Sequence, residues 1–236
     1  MITIAIVEDN IYHLNMVSSQ LEKNMKEDHI LKTYKNADEY IKALVKEKVE
    51  FDIVIMDIEL DKKSGIDLAI QTNILSPFTQ IIFVTAYIDY ASDVYESKHT
   101  YFISKEKIEQ YLPIALEKTT KNIRDIKSQF IHVSWNKQKF ELSQKDIIYA
   151  ERVYRTTYIY TRYEVYKTSK KISELLSMLN NNFCTCHKSI IVNLNYVKNI
   201  EKNSVILKIN QILPISRSQR DEFKKKYNRF LIEKNI

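Results

Sequence analysis

The chain has 236 residues, 44% of them apolar and 28% charged, which is enough for packed cores under a charged surface. It holds a single glycine, Gly65, and so cannot build the glycine-rich phosphate cradles of Walker A or dinucleotide-binding loops; nucleotide chemistry by those routes is excluded. The net charge of +6 is unevenly spread: residues 1–120 carry 13 Lys+Arg against 20 Asp+Glu, and residues 121–236 carry 23 against 10, which predicts two domains with different partners.

No apolar run is long enough to span a bilayer. The opening MITIAIVEDN turns acidic too soon for a secretory signal, so a cytoplasmic protein with no membrane partner is expected. Two cysteines at i and i+2 do not form a disulfide framework.

ITIAIV, at 2–7, is a short apolar run that reads as a strand ending in Glu8 and Asp9. Leu14, Val17 and Leu21 then recur at helical spacing, with Asn10 as N-cap. A weak strand at 30–34 and a helix at 37–46 follow. FDIVIM, at 51–56, is apolar throughout, as a strand buried on both faces must be, and ends in Asp57. A helix follows Gly65, and QIIFVT, at 80–85, is another buried strand. A weaker helix leads to TYFISK at 100–105, and a last helix is predicted from Glu106 to about Lys127. Strictly alternating strands and helices predict a parallel sheet with helices on both faces.

Glu8, Asp9, Asp57, Thr85 and Lys105 all fall at carboxyl ends of predicted strands, where an open parallel sheet keeps its functional crevice. Crowded carboxylates call for a hard divalent cation such as Mg²⁺. With a lysine and a hydroxyl beside one carboxylate, they make a site for a phosphoryl group on Asp57. Any one of these residues alone would read as a loop residue or cap; the set at successive strand ends does not.

This pattern resembles the receiver domain of two-component response regulators, over about residues 1–125, with a flavodoxin-like five-stranded parallel sheet. The resemblance implies that Asp57 accepts phosphate from a sensor histidine kinase. It implies Mg²⁺ binding by Glu8, Asp9, Asp57 and the backbone carbonyl of Glu59. Thr85 and Lys105 would contact the phosphoryl oxygens, Ala86 is the small residue after the threonine, and Phe102 is the aromatic that turns inward on activation. Gly65 matches the glycine of the loop after the phosphorylated strand. Glu106 departs from the pattern, since the family usually has a cis proline after the lysine.

From Phe130 the periodicity changes to short strands rich in Tyr, Ile, Val and Thr: FIHVSW, KFELS, IIYAE, TTYIYT and EVYKTS. KKISELLSMLNN, at 170–181, reads as an amphipathic helix with Ile172, Leu175, Leu176 and Leu179 on one side. SIIVN and SVILKI are further strands, and a basic helix is predicted from Ser216, as its serine cap, to about Ile232. No helix-turn-helix emerges, so this basic domain must present its cations from loops or strand edges.

IIYAE at 147–151, FCTCHKSIIVNLNYV at 183–197 and LPISRSQRDEF at 213–223 resemble the LytTR-type DNA-binding domain, which implies a mostly-β domain with short helices, spanning 126–236, whose loops enter duplex promoter DNA. Cys184 stands where that family often has arginine. The resemblance implies DNA contacts by Arg152, Arg155 and Thr157, by His187, Lys188 and Ser189, and by Ser216, Arg217, Ser218 and Arg220. His187 could instead brace its loop against backbone. A receiver with a LytTR output implies a transcription regulator, accessory-gene-regulator-like, that pairs as a homodimer when phosphorylated, with no enzymatic activity of its own.

Cys-x-Cys-His at 184–187 stands without a second ligand cluster, which argues against zinc. The cysteines read as packed small hydrophobes, with a redox-sensing thiol as the alternative. Two other functions remain open from the residues alone. Asp-x-Glu at 57–59 resembles the Asp-x-Asp of aspartyl-nucleophile phosphohydrolases, and interleaved Tyr and Lys could form an RNA platform.

Overall fold

The computed structural model describes residues 1–61 and 63–234. The chain divides into two compact units, Met1–Ile126 and Lys127–Ile236. In the first, strands β1 (Ile2–Val7), β2 (His29–Tyr34) and β3 (Ile53–Met56) alternate with helices α1 (Ile11–Asn24) and α2 (Ala37–Val45). A two-residue ladder follows, β4 (Glu59–Leu60) with β5 (Lys63–Ser64), then α3 (Gly65–Leu75), β6 (Gln80–Thr85), β7 (Tyr101–Ser104) and α4 (Ile108–Lys127). The sheet is parallel, in the order β2-β1-β3-β6-β7.

Side chains alternate across this sheet with the period of two that a pleat imposes. Ile4 and Ile6 of β1, Ile53 and Ile55 of β3, and Ile82 and Val84 of β6 pack with Leu14, Val17 and Leu21 of α1 and with Leu112, Ala115 and Leu116 of α4. Their neighbours Ala5, Val7, Val54, Met56, Ile81 and Phe83 pack on the opposite face with Tyr40 of α2 and Ile66, Leu68 and Ala69 of α3. Two-sided burial is why these strands read as unbroken apolar runs. Asn10 caps α1 as expected, its side chain accepting from the Tyr12 and His13 amides at 2.9 and 3.3 Å.

The helix predicted before β7 is not an α-helix. The chain makes two short 3-10 turns there, Ile88–Ala91 and Asp93–Glu96. Only Val94 of these eight residues is buried, so no apolar stripe holds a regular helix on the sheet.

The second unit contains a hairpin of β8 (Phe130–Trp135) and β9 (Gln138–Ser143). It continues with β10 (Ile147–Val153), β11 (Thr156–Thr161), β12 (Val165–Thr168), α5 (Ile172–Met178), β13 (Phe183–His187) and β14 (Ile190–Asn193). Strands β15 (Val197–Ile200), β16 (Ser204–Leu207) and β17 (Ile212–Pro214) and helix α6 (Arg220–Lys234) complete it. An antiparallel sheet runs β12-β11-β10-β14-β13, and a smaller one runs β15-β16-β17. One face of the larger sheet packs Ala150, Ile159, Phe183 and Ile191 against Ile131, Val133 and Leu142 of the hairpin and Ile172 and Leu175 of α5. The other packs Cys184, Cys186, Ile190 and Val192 against Val205, Leu207, Leu213 and Phe223.

Helix α5 is shorter than the periodicity suggested, and α6 starts four residues later than expected. Ser216 is not its cap: the Ser216 carbonyl accepts from the Gln219 and Arg220 amides at 3.2 and 3.1 Å, closing a turn ahead of the helix.

Gly65 donates its amide to the Ile58 carbonyl at 2.6 Å, so α3 begins directly against the loop that carries Asp57. A Cβ at this position would overlap the Asp57 carbonyl oxygen. Gly65→Ala is therefore expected to destabilise the first unit by roughly 1–3 kcal/mol or more, measured by urea denaturation, because the obstacle is backbone that cannot rotate away.

Candidate functional site

Strand register assembles the first site. Val7 pairs with Met56 across β1 and β3, so Glu8 and Asp57 emerge side by side. Thr85 pairs with Ser104 across β6 and β7, so Lys105 emerges next to Thr85. Glu8, Asp57 and Lys105 are 2%, 5% and 8% exposed, charged groups that only mutual pairing makes tolerable in a buried place. The Lys105 ammonium donates to Asp57 Oδ2 at 2.6 Å and lies 2.8 Å from Glu8 Oε2. Asp57 Oδ1 accepts from the Ile58 amide at 2.7 Å, and Glu8 Oε1 from the Asn10 amide at 3.3 Å. Burial pushes the Glu8 carboxyl up from its ordinary range, and Asp57 adds to that; Lys105 opposes both without cancelling them.

These residues line a cleft of about 600 Å³, together with Asp9, Glu59, Ala86, Tyr87 and Tyr90. Asp9 is exposed and its carboxylate accepts from the Asp61 amide at 2.9 Å. The Glu59 carboxylate accepts from the Tyr90 hydroxyl at 3.3 Å and also bonds the Tyr87 side chain, and both phenols are pushed up by it. Thr85 is fully buried and its hydroxyl accepts from the Tyr87 amide at 3.2 Å. Phe102 is half-buried and packs against the core that contains Phe83 and Val94. The peptide bonds of the described residues are all trans, and Lys105 reaches Asp57 with Glu106 behind it.

Sequence reasoning missed one participant. His13, on the first turn of α1, lies with Nδ1 2.8 Å from the Lys105 ammonium and 3.5 Å from Glu8 Oε1. Its position just past the end of β1, in the same crevice as Glu8, was the available signal.

The donor set fits a hard divalent cation. Glu8 and Asp57 offer carboxylate oxygens close together, two carboxylates that share one ammonium.

The second set of predicted residues divides in two. Val153 pairs with Thr156, leaving Tyr154 and Arg155 as a two-residue turn between β10 and β11. Tyr154 is 97% exposed at φ +53°, and Arg155 is exposed beside it. The Arg152 amide donates to the Ser189 carbonyl at 2.8 Å, and the Ser216 amide to the Cys186 carbonyl at 2.8 Å. The loops at 153–155, 187–189 and 216–218 are thereby tied in a row. Arg155, Lys188 and Arg217 are exposed along it, as is Ser218, whose hydroxyl lies 3.4 Å from that of Ser216.

The remaining residues turn inward. Arg152 spends its guanidinium on Thr157 Oγ1 and on the Ser169 and Lys170 carbonyls, at 3.0, 3.2 and 2.6 Å. Thr157 is fully buried and donates to the Lys170 carbonyl. His187 Nδ1 accepts from the Ser189 amide at 3.3 Å and lies 2.8 Å from its hydroxyl, which clamps the turn around Lys188. Arg220 donates to Asn203 Oδ1 at 2.9 Å. Cys184 and Cys186 are buried free thiols, and burial pushes Cys186 up to about 12. The grouping of metal-ligating side chains among the described residues is Glu8, His13 and Asp57, away from these cysteines.

The raised Glu8 carboxyl has a consequence for stability. A group whose folded-state pKa is raised favours folding below its unfolded value and loses that contribution as pH climbs through the folded value. Glu8→Gln, which removes the charge and keeps the shape, should therefore raise the urea midpoint at pH 7, with the gain vanishing below about pH 4.5, the ordinary glutamate value.

Comparison with known proteins gives the family. Residues 4–117 match the response regulator receiver domain and residues 137–228 the LytTr DNA-binding domain. The chain is 27% identical over 240 residues to the transcriptional regulatory protein YpdB of Escherichia coli, covering 94% of this chain and 97% of that one. It is 28% identical over 193 residues to the sensory transduction protein LytT of Bacillus subtilis, covering 74% and 78%. Among solved structures, a receiver domain from Clostridium thermocellum aligns with 53% of this chain and 99% of its own, at 20% identity and a TM-score of 0.47. With both halves matched in this order, the chain belongs to the response regulators: a receiver joined to a LytTR domain, a DNA-binding regulator governed by phosphorylation.

Proposed function

We propose that Asp57 is the phosphoacceptor and that its phosphorylation by a sensor histidine kinase controls how the second unit engages promoter DNA. The observation that carries this reading is the 2.6 Å contact between Lys105 and Asp57 Oδ2 in a buried cleft open at the sheet edge. In the transfer, an Asp57 oxygen attacks phosphorus, the bond from phosphorus to the kinase histidine breaks, and an acyl phosphate remains on Asp57. Glu8, Asp9, Asp57 and the Glu59 carbonyl would hold Mg²⁺, which supplies charge neutralisation for the phosphoryl oxygens.

Lys105 then exchanges a carboxylate partner for a phosphoryl oxygen. The Thr85 hydroxyl, drawn to the same group, gives up the Tyr87 amide it now accepts from, which frees the start of the two 3-10 turns. Ala86 leaves room for the phosphoryl group, and Phe102 turns inward beside it. The altered surface pairs two copies, and paired LytTR domains bind DNA more tightly by effective concentration.

On the DNA-binding unit, the exposed row of Arg155, Lys188, Arg217 and Ser218 supports direct contact, with arginine able to read guanine and lysine set against phosphate. Arg152, Thr157, His187, Ser189, Ser216 and Arg220 act by bracing those loops. The RNA reading is the weaker, because Tyr149 is buried and stacks on Tyr160 at 4.2 Å instead of being offered on an open sheet face.

Gel shifts on promoter fragments, with and without acetyl phosphate and Mg²⁺, test the switch. Phosphorylation should strengthen the shift, and Asp57→Ala should lose the gain; an unchanged response in Asp57→Ala would sink the reading. Arg155→Ala should weaken DNA binding by roughly 1–3 kcal/mol and leave folding intact, and Lys188→Ala should lower the salt slope by about one. Arg152→Ala should instead lower the thermal midpoint of the second unit.

A further inference from the structure

We propose that His13 is a nitrogen ligand of the divalent-cation site, and that it turns the preference of that site from Mg²⁺ toward ions that favour imidazole, of the Co²⁺ and Zn²⁺ kind. The inference rests on the reading that Glu8 and Asp57 hold a divalent cation.

Three observations carry it. First, a ring nitrogen of His13 faces the site: Nδ1 lies 2.8 Å from the Lys105 ammonium and 3.5 Å from Glu8 Oε1. Imidazole nitrogen is the commonest side-chain metal ligand.

Second, the spacing suits one ion. The ligating atoms of Glu8, His13 and Asp57 all lie within 4.8 Å of one another, and His13 Nδ1 is 3.5 Å from Glu8 Oε1. Ligands at about 2.0–2.2 Å from a common ion stand roughly 3 Å apart, so the His13–Glu8 pair needs only a small contraction. Third, one cation already touches all three groups: the Lys105 ammonium lies 2.6 Å from Asp57, 2.8 Å from Glu8 and 2.8 Å from His13.

His13 is carried there by local structure. Its amide is fixed by the Asn10 cap at 3.3 Å, and at 40% side-chain exposure its ring can turn without disturbing a core. The chemistry then decides the ion. Mg²⁺ demands octahedral oxygen and keeps its waters, whereas imidazole suits the later first-row metals.

The test titrates the full chain at fixed pH with Mg²⁺ and with Co²⁺ by calorimetry, in wild type, His13→Ala, His13→Gln and Asp57→Asn. Proton NMR of the Co²⁺-loaded protein supplies a second readout, since a coordinated imidazole gives a hyperfine-shifted, exchangeable Nε2 proton. The expected result is a Co²⁺-to-Mg²⁺ affinity ratio at least about tenfold lower in both His13 variants, Mg²⁺ affinity little changed, and the shifted proton lost. His13→Gln keeps an acceptor for Lys105, so a loss in both variants assigns the effect to nitrogen ligation. An unchanged ratio in the His13 variants, with Asp57→Asn still weakening both ions, would overturn the His13 assignment and leave the cation site standing. Failure of wild type to bind either ion would overturn both readings together.

Discussion

The first unit depends on one ammonium. Lys105 bridges Glu8 and Asp57, giving two buried carboxylates one shared cationic partner. Removing Lys105 would leave two buried carboxylates uncompensated, a change that typically costs about 3–5 kcal/mol, yet a buried ion pair adds little net stability over an apolar replacement. Its value lies in what it keeps available. Asp57 is held by hydrogen bonds from Lys105 and the Ile58 amide, with the cleft open in front of it, and any incoming cation or phosphoryl group must renegotiate the contacts of Lys105. The parallel sheet makes this possible, because register alone brings ends of β1, β3 and β7 to one edge.

The second unit solves a different problem with a comparable economy of means. It lines up three loops by backbone hydrogen bonds, and uses Arg152, Thr157, His187 and Ser216 to keep them in place. Tyr154 holds a left-handed conformation at the tip of the β10–β11 hairpin, a position where glycine or asparagine is usual. A strained, fully exposed aromatic next to Arg155 marks that turn as a place where local comfort has been given up.

Much of this was legible in the residues. Strands buried on both faces announce themselves as apolar runs, so the polar residues at their ends, Glu8, Asp57, Thr85 and Lys105, were found with their positions. His13 was not, because it lies on a helix whose spacing signal came from Leu14, Val17 and Leu21, and only the turn geometry brings its ring back over the sheet edge. The segment at 88–96 looked helical because propensity reads local sequence, while the packing that would hold a helix is not local. In the basic half, composition marked a set of cations but could not separate Arg155 from Arg152. The difference lies in whether a side chain leaves a turn or a strand edge, and that depends on hairpin register. The helix at the C-terminus was placed four residues early because Ser216 has the side chain of a cap but uses its carbonyl to close a turn.

The two cysteines carry a last consequence. Cys184 and Cys186 lie together under the sheet, and burial holds both thiols well above neutrality. Alkylating reagents attack thiolates, so in the folded unit these sulfurs are shielded twice, by access and by protonation. Their modification must wait for the unit to breathe. The Cys186 carbonyl also anchors the loop at Ser216, so the breathing that uncovers the sulfurs also loosens the row of loops. The pair is a built-in clock for that motion, ticking whenever the row of loops comes apart.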